Sequence, residues 1–388
     1  MMKKEKFILI LLTVILIPLL SGCKGEKEGN GNQIRSSGGT SGIKYSKNFS
    51  IEYKDGYKVV TVYTPDEKHS LVFRYILVPR GNKAPAGYEG AMVVNTPVKS
   101  VVSLSSLYIG FLDKLNLAGS IIAVDKFRYV ISPDVQNLIK EGKITEAGES
   151  FSLNIEKIMQ LNPELVLTFG TGNPAVDGNP MLVKSGIHIA SSTIHLESSP
   201  LARAEWIKFV AAFFDKDAEA DSIFNGLALR YEKLASLTKN IASRPTVFTE
   251  ALFGGMWYEP GGNSYMAKYL NDAGADYLWK DDPSSGSLKL TFEQVYARAH
   301  NADFWINVPF WKNLGDALKN DPRNADFKAY RNKNIYNYSL KMNDAGFFEY
   351  WENGIINCDL VLSDLIKIFH PRLLPGYKMT YYKKLEER

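Results

Sequence analysis

The chain has 388 residues, 45% of them hydrophobic and 23% charged. That composition excludes a collagen-like, wholly disordered or polytopic membrane protein, and the length suits two or three domains around a sizeable core. Lys and Arg number 46 against 42 Asp and Glu, and this net charge of +4 is too small to mark a nucleic-acid partner. Two cysteines, Cys23 and Cys358, allow neither a disulfide framework nor a multi-cysteine zinc site.

At the N-terminus, Lys3, Lys4 and Lys6 precede an apolar run from Phe7 to Leu20. The run is short for a membrane span, which needs about 20 residues, but it suits the core of a secretory signal. It ends in Leu20-Ser21-Gly22-Cys23. Those four residues resemble the lipobox of bacterial lipoproteins. The resemblance implies a signal peptide over 1–22, cleavage after Gly22, a lipid on Cys23, and a periplasmic protein tethered to a bacterial membrane without spanning it. A plain anchor helix with an incidental cysteine is the other reading. Residues 24–42 hold six glycines among serine, asparagine and charged residues. We expect a flexible tether over 23–42, spanning roughly 25 Å as a coil.

Residues 43–90 read as a β-rich extension of the first lobe. Tyr57–Tyr63 follows the turn signal Asp55-Gly56, and Leu71–Val78 is a further strand. From there the pattern alternates strand and helix, which argues for parallel α/β packing. An N-terminal lobe over 91–198 carries strands at 100–104, 121–124 and 164–169, and helices at 107–117 and 155–161. Residues 199–243 read as a helical spine interrupted at Asp215-Lys216-Asp217, with Leu227, Leu234 and Leu237 as its apolar stripe. A C-terminal lobe over 244–388 repeats the alternation, with strands at 246–249 and 304–308 and helices at 265–273 and 292–299. Cys358 lies in an apolar helical stretch and reads as an inert core thiol.

The lobes also resemble each other locally. Leu153-Asn154-Ile155-Glu156-Lys157-Ile158 ahead of Glu164-Leu165-Val166-Leu167 parallels Leu290-Thr291-Phe292-Glu293-Gln294-Val295 ahead of Asp303-Phe304-Trp305-Ile306. The fold class is therefore α/β: two Rossmann-like lobes with parallel sheets, joined by a long spine helix and carrying an N-terminal β-rich decoration.

With that layout the sequence resembles the periplasmic binding proteins of ABC importers for ferric siderophores, haem and cobalamin. The carrying segments are Val101–Ser106, Ala147-Gly148-Glu149, Asn154–Ile158 and Leu161–Leu167. In the second half they are Tyr258–Tyr265, Leu290–Val295 and Ile335–Tyr338. The resemblance implies a non-enzymatic substrate-binding protein whose stiff spine limits closure. It implies a bulky chelate as ligand, and as partner an ABC permease homodimer with its cytoplasmic ATPase. It also gives Glu156 and Glu293 a role, as the acidic residues, one per lobe, that pair with permease arginines. Locally, the same glutamates favour a helix start through the dipole and a capping box. Cobalamin-binding members carry a tryptophan six residues before each such glutamate. Here those positions are Ser150 and Ser287, which favours an iron chelate over cobalamin.

Catalytic and metal motifs are lacking. There is no Walker motif, no His-Glu-x-x-His and no Gly-x-Ser-x-Gly. Gly170–Ala175 superficially matches a dinucleotide fingerprint but follows a late strand, and no acid ends the next one. His188 and His195 have no obvious acidic third ligand, so neither a resident metal nor a cofactor is expected. The cleft should lie where loops follow the strands of both lobes. Aromatics and one arginine gather there: Phe127, Arg128, Tyr129 and Phe151 in the first lobe, and Trp257, Tyr258, Tyr265, Phe310, Trp311 and Phe348 in the second. Such rings suit a bulky planar or catecholate ligand, and Arg128 an anionic chelate. A cobalamin or haem binder on the same fold, or a membrane-tethered α/β enzyme, is the alternative.

Overall fold

A computed structural model describes residues 42–64, 71–149, 153–170 and 180–387. Strands β1 (Phe49–Lys54) and β2 (Tyr57–Tyr63) form the expected antiparallel hairpin, with Gly56 at φ 81°, a backbone region open to glycine at no steric cost. β3 (Leu71–Pro79) pairs antiparallel with β2, and β4 (Met92–Thr96) parallel with β3. The β-rich segment thus runs past residue 90. Phe49 and Tyr75 of this sheet pack on Trp206, Phe209 and Phe213, with the Phe49 and Trp206 rings 4.6 Å apart. Burying a large apolar side chain contributes about 1.5–3 kcal/mol, so the sheet is welded to the helices beneath it.

The first lobe runs β5 (Val101–Ser103), α1 (Ser106–Lys114), β6 (Ile121–Val124), α2 (Pro133–Lys140), β7 (Thr145–Glu146), α3 (Ile155–Leu161), β8 (Leu165–Phe169), α4 (Pro180–Lys184) and β9 (Ile189–Ser192). Its five strands lie in the order β7-β6-β5-β8-β9, all neighbours parallel. Val101 and Leu165 face one apolar cluster, and Val102 and Val166 the other. Alternate residues of each strand point to opposite faces. With helices on both faces, the strands must read as continuous apolar runs.

The connection consists of α5 (Pro200–Glu205), α6 (Ile207–Phe213) and α7 (Asp217–Thr238). The 22 residues of α7 make it the longest helix described, about 33 Å at the usual rise. The break before α7 carries Asp215 at φ 54°. Lys58 of β2 spans that break, donating to the carboxylates of Asp215 and Asp217 at 2.9 and 2.7 Å.

The second lobe runs β10 (Thr246–Thr249), β11 (Leu252–Phe253), β12 (Met256–Pro260), α8 (Tyr265–Asp272), β13 (Asp276–Tyr277), β14 (Ser287–Leu290) and α9 (Phe292–Ala299). It continues with β15 (Phe304–Ile306), α10 (Leu314–Asn320), α11 (Lys328–Arg331), β16 (Ile335–Asn337), α12 (Glu349–Asn353), α13 (Cys358–Phe369) and β17 (Lys383–Lys384). The main sheet has the order β13-β10-β15-β16-β17, parallel except at β17, and β11-β12-β14 form a separate antiparallel sheet. Leaving out the edge strands β7 and β17, both main sheets show the same order: second strand, first, third, fourth. The sequence repeat is thus one structural position used twice. α3 leads into β8, beside the first strand of its lobe, and α9 leads into β15, beside the first strand of the other. Cys358 is buried at the start of α13, and desolvation pushes its thiol up.

Candidate functional site

In parallel sheets the loops beyond the strand C-termini form the ligand crevice. Here they are Asp125–Tyr129 after β6 and Ala147–Glu149 after β7. The second lobe supplies Glu250 after β10, Asn307–Trp311 after β15 and the segment from Tyr338 after β16. The two sets of loops meet at a seam built by residues far apart in the chain.

Glu352 of α12 is 1% exposed. Its carboxylate accepts the backbone N–H groups of Ile131 and Ser132 in the first lobe, both at 2.7 Å. Burial pushes its carboxyl up to about 8, against the pull of those two donors. Asn343 donates to the carbonyls of Arg128 at 2.9 Å and Val130 at 3.3 Å. The rings of Tyr129 and Phe347 lie 5.0 Å apart across the same seam. Beneath it α1 passes so close to α12 that a Cβ on Gly110 would meet the Glu352 carbonyl oxygen at 2.2 Å. The first lobe is therefore latched to the second along one side.

The predicted residues divide. Arg128 and Tyr129 lie at the seam, Arg128 on the Tyr129 ring at 4.8 Å from its centroid. Arg128 also pairs with Glu149, so its charge already has a carboxylate partner. Trp257 is a correction. It is 0% exposed, it donates from Nε1 to the Thr249 carbonyl at 2.9 Å, and it packs among Phe248, Trp305 and Phe327. β12 pairs with both β11 and β14, and this register turns Trp257 into the lobe core and Tyr258 outward, 37% exposed. Trp311 is a second correction, buried edge-on against Trp305 at 5.1 Å. Phe348 is a third, buried against Tyr338, although it touches Phe310 at 6.0 Å. Tyr265 is half-buried under the guanidinium of Arg203. Phe151 and Cys23 lie outside the described residues, as do positions 171–175 of the glycine-containing loop.

Phe127 and Phe310, which the sequence places among the aromatics after strands, are exposed at this face, Phe310 after β15 at φ 56° and 73% exposed. Sequence reasoning missed several other groups. Phe169, at the end of β8, is exposed too. Two buried acids, Glu250 and Glu259, lie beside β10. Glu259 accepts from the Thr249 hydroxyl at 2.7 Å and from Tyr277 at 3.0 Å. Burial pushes both carboxyls up to about 8. Strand ends were the available signal for Phe169 and Glu250. Nothing in the local pattern marked Asn343 or Glu352. Among the described residues no group of three or more His, Cys, Asp and Glu is placed to hold a metal ion.

Glu156 and Glu293 are exposed in the first turns of α3 and α9. Asn154 caps α3 by accepting from Lys157 N–H, and Thr291 with Gln294 makes a full capping box on α9. Glu293 also pairs with Arg323 at 2.9 Å. A backbone N–H at the helix start and this arginine hold its carboxyl below the usual range.

Comparison with known proteins agrees with this geometry. The chain is 29% identical over 411 residues to an uncharacterized lipoprotein of Methanocaldococcus jannaschii, covering 96% of this chain and 95% of the relative. The fold is similar to that of an ABC-type Fe3+-hydroxamate transport system from Saccharomonospora viridis. That match has a TM-score of 0.54 and 18% identity, and covers 71% of this chain and 94% of the other. It is also similar to a periplasmic heme binding protein from Pseudomonas aeruginosa, with a TM-score of 0.53, 17% identity and the same coverage of 71% and 94%. The family model described as periplasmic binding protein matches residues 101–340. That stretch begins at the first strand of one lobe and ends past the last parallel strand of the other, so the chain belongs to the periplasmic binding protein family.

Proposed function

We propose that this protein is a lipid-anchored substrate-binding protein of an ABC importer. It holds an iron–siderophore or similarly bulky iron chelate between its lobes and delivers it to the permease, making and breaking no bond. The observation that carries the reading is the doubled architecture. Two lobes of one strand order each present an exposed glutamate at the start of the helix that leads into the neighbour of the first strand, Glu156 on one and Glu293 on the other. A pair of carboxylates so related suits a permease built of two like subunits. Ligand contact falls to the exposed rings Phe127, Phe169 and Phe310, with Arg128 and Tyr129 at the seam, joined by Tyr258, Tyr265 and Phe151.

The names of similar folds, one for Fe3+-hydroxamate transport and one for heme binding, support a chelate as cargo. The lipoprotein name of the archaeal relative supports lipidation at Cys23 after cleavage behind Gly22, and hence an extracytoplasmic location. Among the described residues no helix is long and apolar enough to cross a membrane.

The test is native mass spectrometry of protein purified from its own host, followed by tryptophan-fluorescence titration. Saturable quenching by a ferric siderophore, without chemical change of the ligand, is the expected result. Selective binding of cobalamin or haem moves the assignment to that cargo, and turnover of any ligand overturns it.

A further inference from the structure

Arg203 lies in α5, where the chain leaves the first lobe. Its guanidinium sits over the Tyr265 ring, 3.9 Å from the centroid. Its Nε is buried and has no hydrogen-bond partner among the described residues. Among the described residues no carboxylate forms an ion pair with it. Arg128 has Glu149 and Arg323 has Asp321, so Arg203 differs from both other arginines near the predicted sites.

A small pocket opens beside Arg203, lined by Pro200, Tyr269, Tyr350, Trp351 and Gly354. A run of ring contacts ties this pocket to the crevice loops. Tyr350 stacks on Tyr338 at 4.4 Å, Tyr338 meets Phe348 at 5.7 Å, and Phe348 meets Phe310 at 6.0 Å. Phe310 and Tyr338 follow β15 and β16, at the strand ends that border the crevice. One packed layer of rings therefore runs from the pocket to the crevice, with Phe310 at its exposed end.

The electrostatics leave the arginine uncompensated. Glu250 and Arg203 act on Tyr350 with opposite signs, so both lie near this layer of rings. Burial and the neighbouring Glu259 push Glu250 up to about 8, so at neutral pH it is mostly protonated. Stacking on Tyr265 fixes the guanidinium plane and leaves its in-plane N–H groups to find a partner at the edge. A buried donor left unmade is costly, and a planar fork matches an oxygen anion.

We propose that this pocket is an anion subsite in which Arg203 receives a carboxylate or catecholate oxygen of the bound ligand, so that the cargo is an acidic chelate. The inference rests on the reading of the crevice as a chelate site.

The experiment titrates the full chain, R203M and R203K by tryptophan fluorescence, with Trp351 at the pocket as reporter. Three probes are used: a polyanionic ferric tricatecholate, a ferric trihydroxamate with no net negative charge, and citrate without iron. Circular dichroism and thermal melting check the fold of each variant. R203M should weaken the tricatecholate roughly tenfold or more, the loss of a charged hydrogen bond. It should abolish citrate-dependent thermal stabilisation and leave any trihydroxamate binding unchanged. R203K, which keeps the charge but not the fork, should fall between. Equal affinities of R203M and the parent for tricatecholate and citrate would overturn the subsite. So would an equal loss for both ferric chelates accompanied by a lowered melting temperature, which marks a packing role. If neither ferric chelate binds the parent while citrate binds through Arg203, the subsite stands and the chelate reading falls.

Discussion

Gly110 offers a decisive probe of the latch between the lobes. In an exposed helix, Gly→Ala is worth about 1 kcal/mol of stabilisation. In α1 the new Cβ would lie 2.2 Å from the Glu352 carbonyl oxygen and 3.1 Å from Asn353 Oδ1. Restoring a normal carbon–oxygen separation requires α1 and α12 to part by about 1 Å. Overpacking of that kind costs about 1–3 kcal/mol. The shift also pulls Glu352 from the N–H groups of Ile131 and Ser132; at neutral pH its carboxyl is mostly protonated, so each of these two hydrogen bonds is worth about 0.5–1.5 kcal/mol. The expected net effect of G110A is a destabilisation of about 1–5 kcal/mol, opposite in sign to helix propensity. Urea unfolding of the parent, G110A, E352A and the double variant measures it. Because both changes strike one seam, the double variant should lose less than the two singles together, with a coupling of about 0.5–3 kcal/mol. A G110A protein at least as stable as its parent, or strictly additive losses, would refute the latch.

Four further outcomes follow from the geometry. Glu352 titrates near 4.5 when unfolded and at about 8 when folded. Between those values the native state binds more protons, so this stabilisation is complete below the lower pKa and lost as pH rises through the upper one. Urea midpoints from about pH 5 to about pH 9 should therefore decline, and less steeply in E352Q; Glu250 and Glu259 share the sign and keep part of the slope. Phe310→Ala should weaken ligand binding at a stability change within about 0.5 kcal/mol, whereas Trp257→Ala should cost about 3–5 kcal/mol, read by denaturation and titration of the same samples. Charge reversal at both Glu156 and Glu293 should abolish uptake in cells and leave ligand affinity intact; surviving uptake excludes them from permease docking. Cys23→Ala should move the protein from the membrane fraction to the soluble fraction, and unchanged partitioning would remove the lipid anchor.

Much of the architecture was legible along the chain because it follows from short-range pattern. Strands buried on both faces must be continuous apolar runs, and Val101–Ser103, Ile121–Val124, Leu165–Phe169 and Thr246–Thr249 read that way. The doubling around Glu156 and Glu293 was visible because equivalent positions in two like lobes need the same cap, acid and following strand. The crevice side chains were less legible. Trp257 and Tyr258 are adjacent and alike in composition, and only the pairing of β12 with β11 and β14 decides which one is core.

The sequence by itself determined the α/β alternation, the doubled lobes with a helical connection, and the acidic helix starts. These depend on periodicity and on caps within a few residues of one another. Tertiary structure alone decided which rings are exposed and which are core, that Arg128 is already paired while Arg203 has no carboxylate partner among the described residues, and that Glu352 latches onto Ile131, 221 positions away. Such contacts are set by how strands register and how helices stack, and a side chain carries no local mark of the partner that folding brings to it.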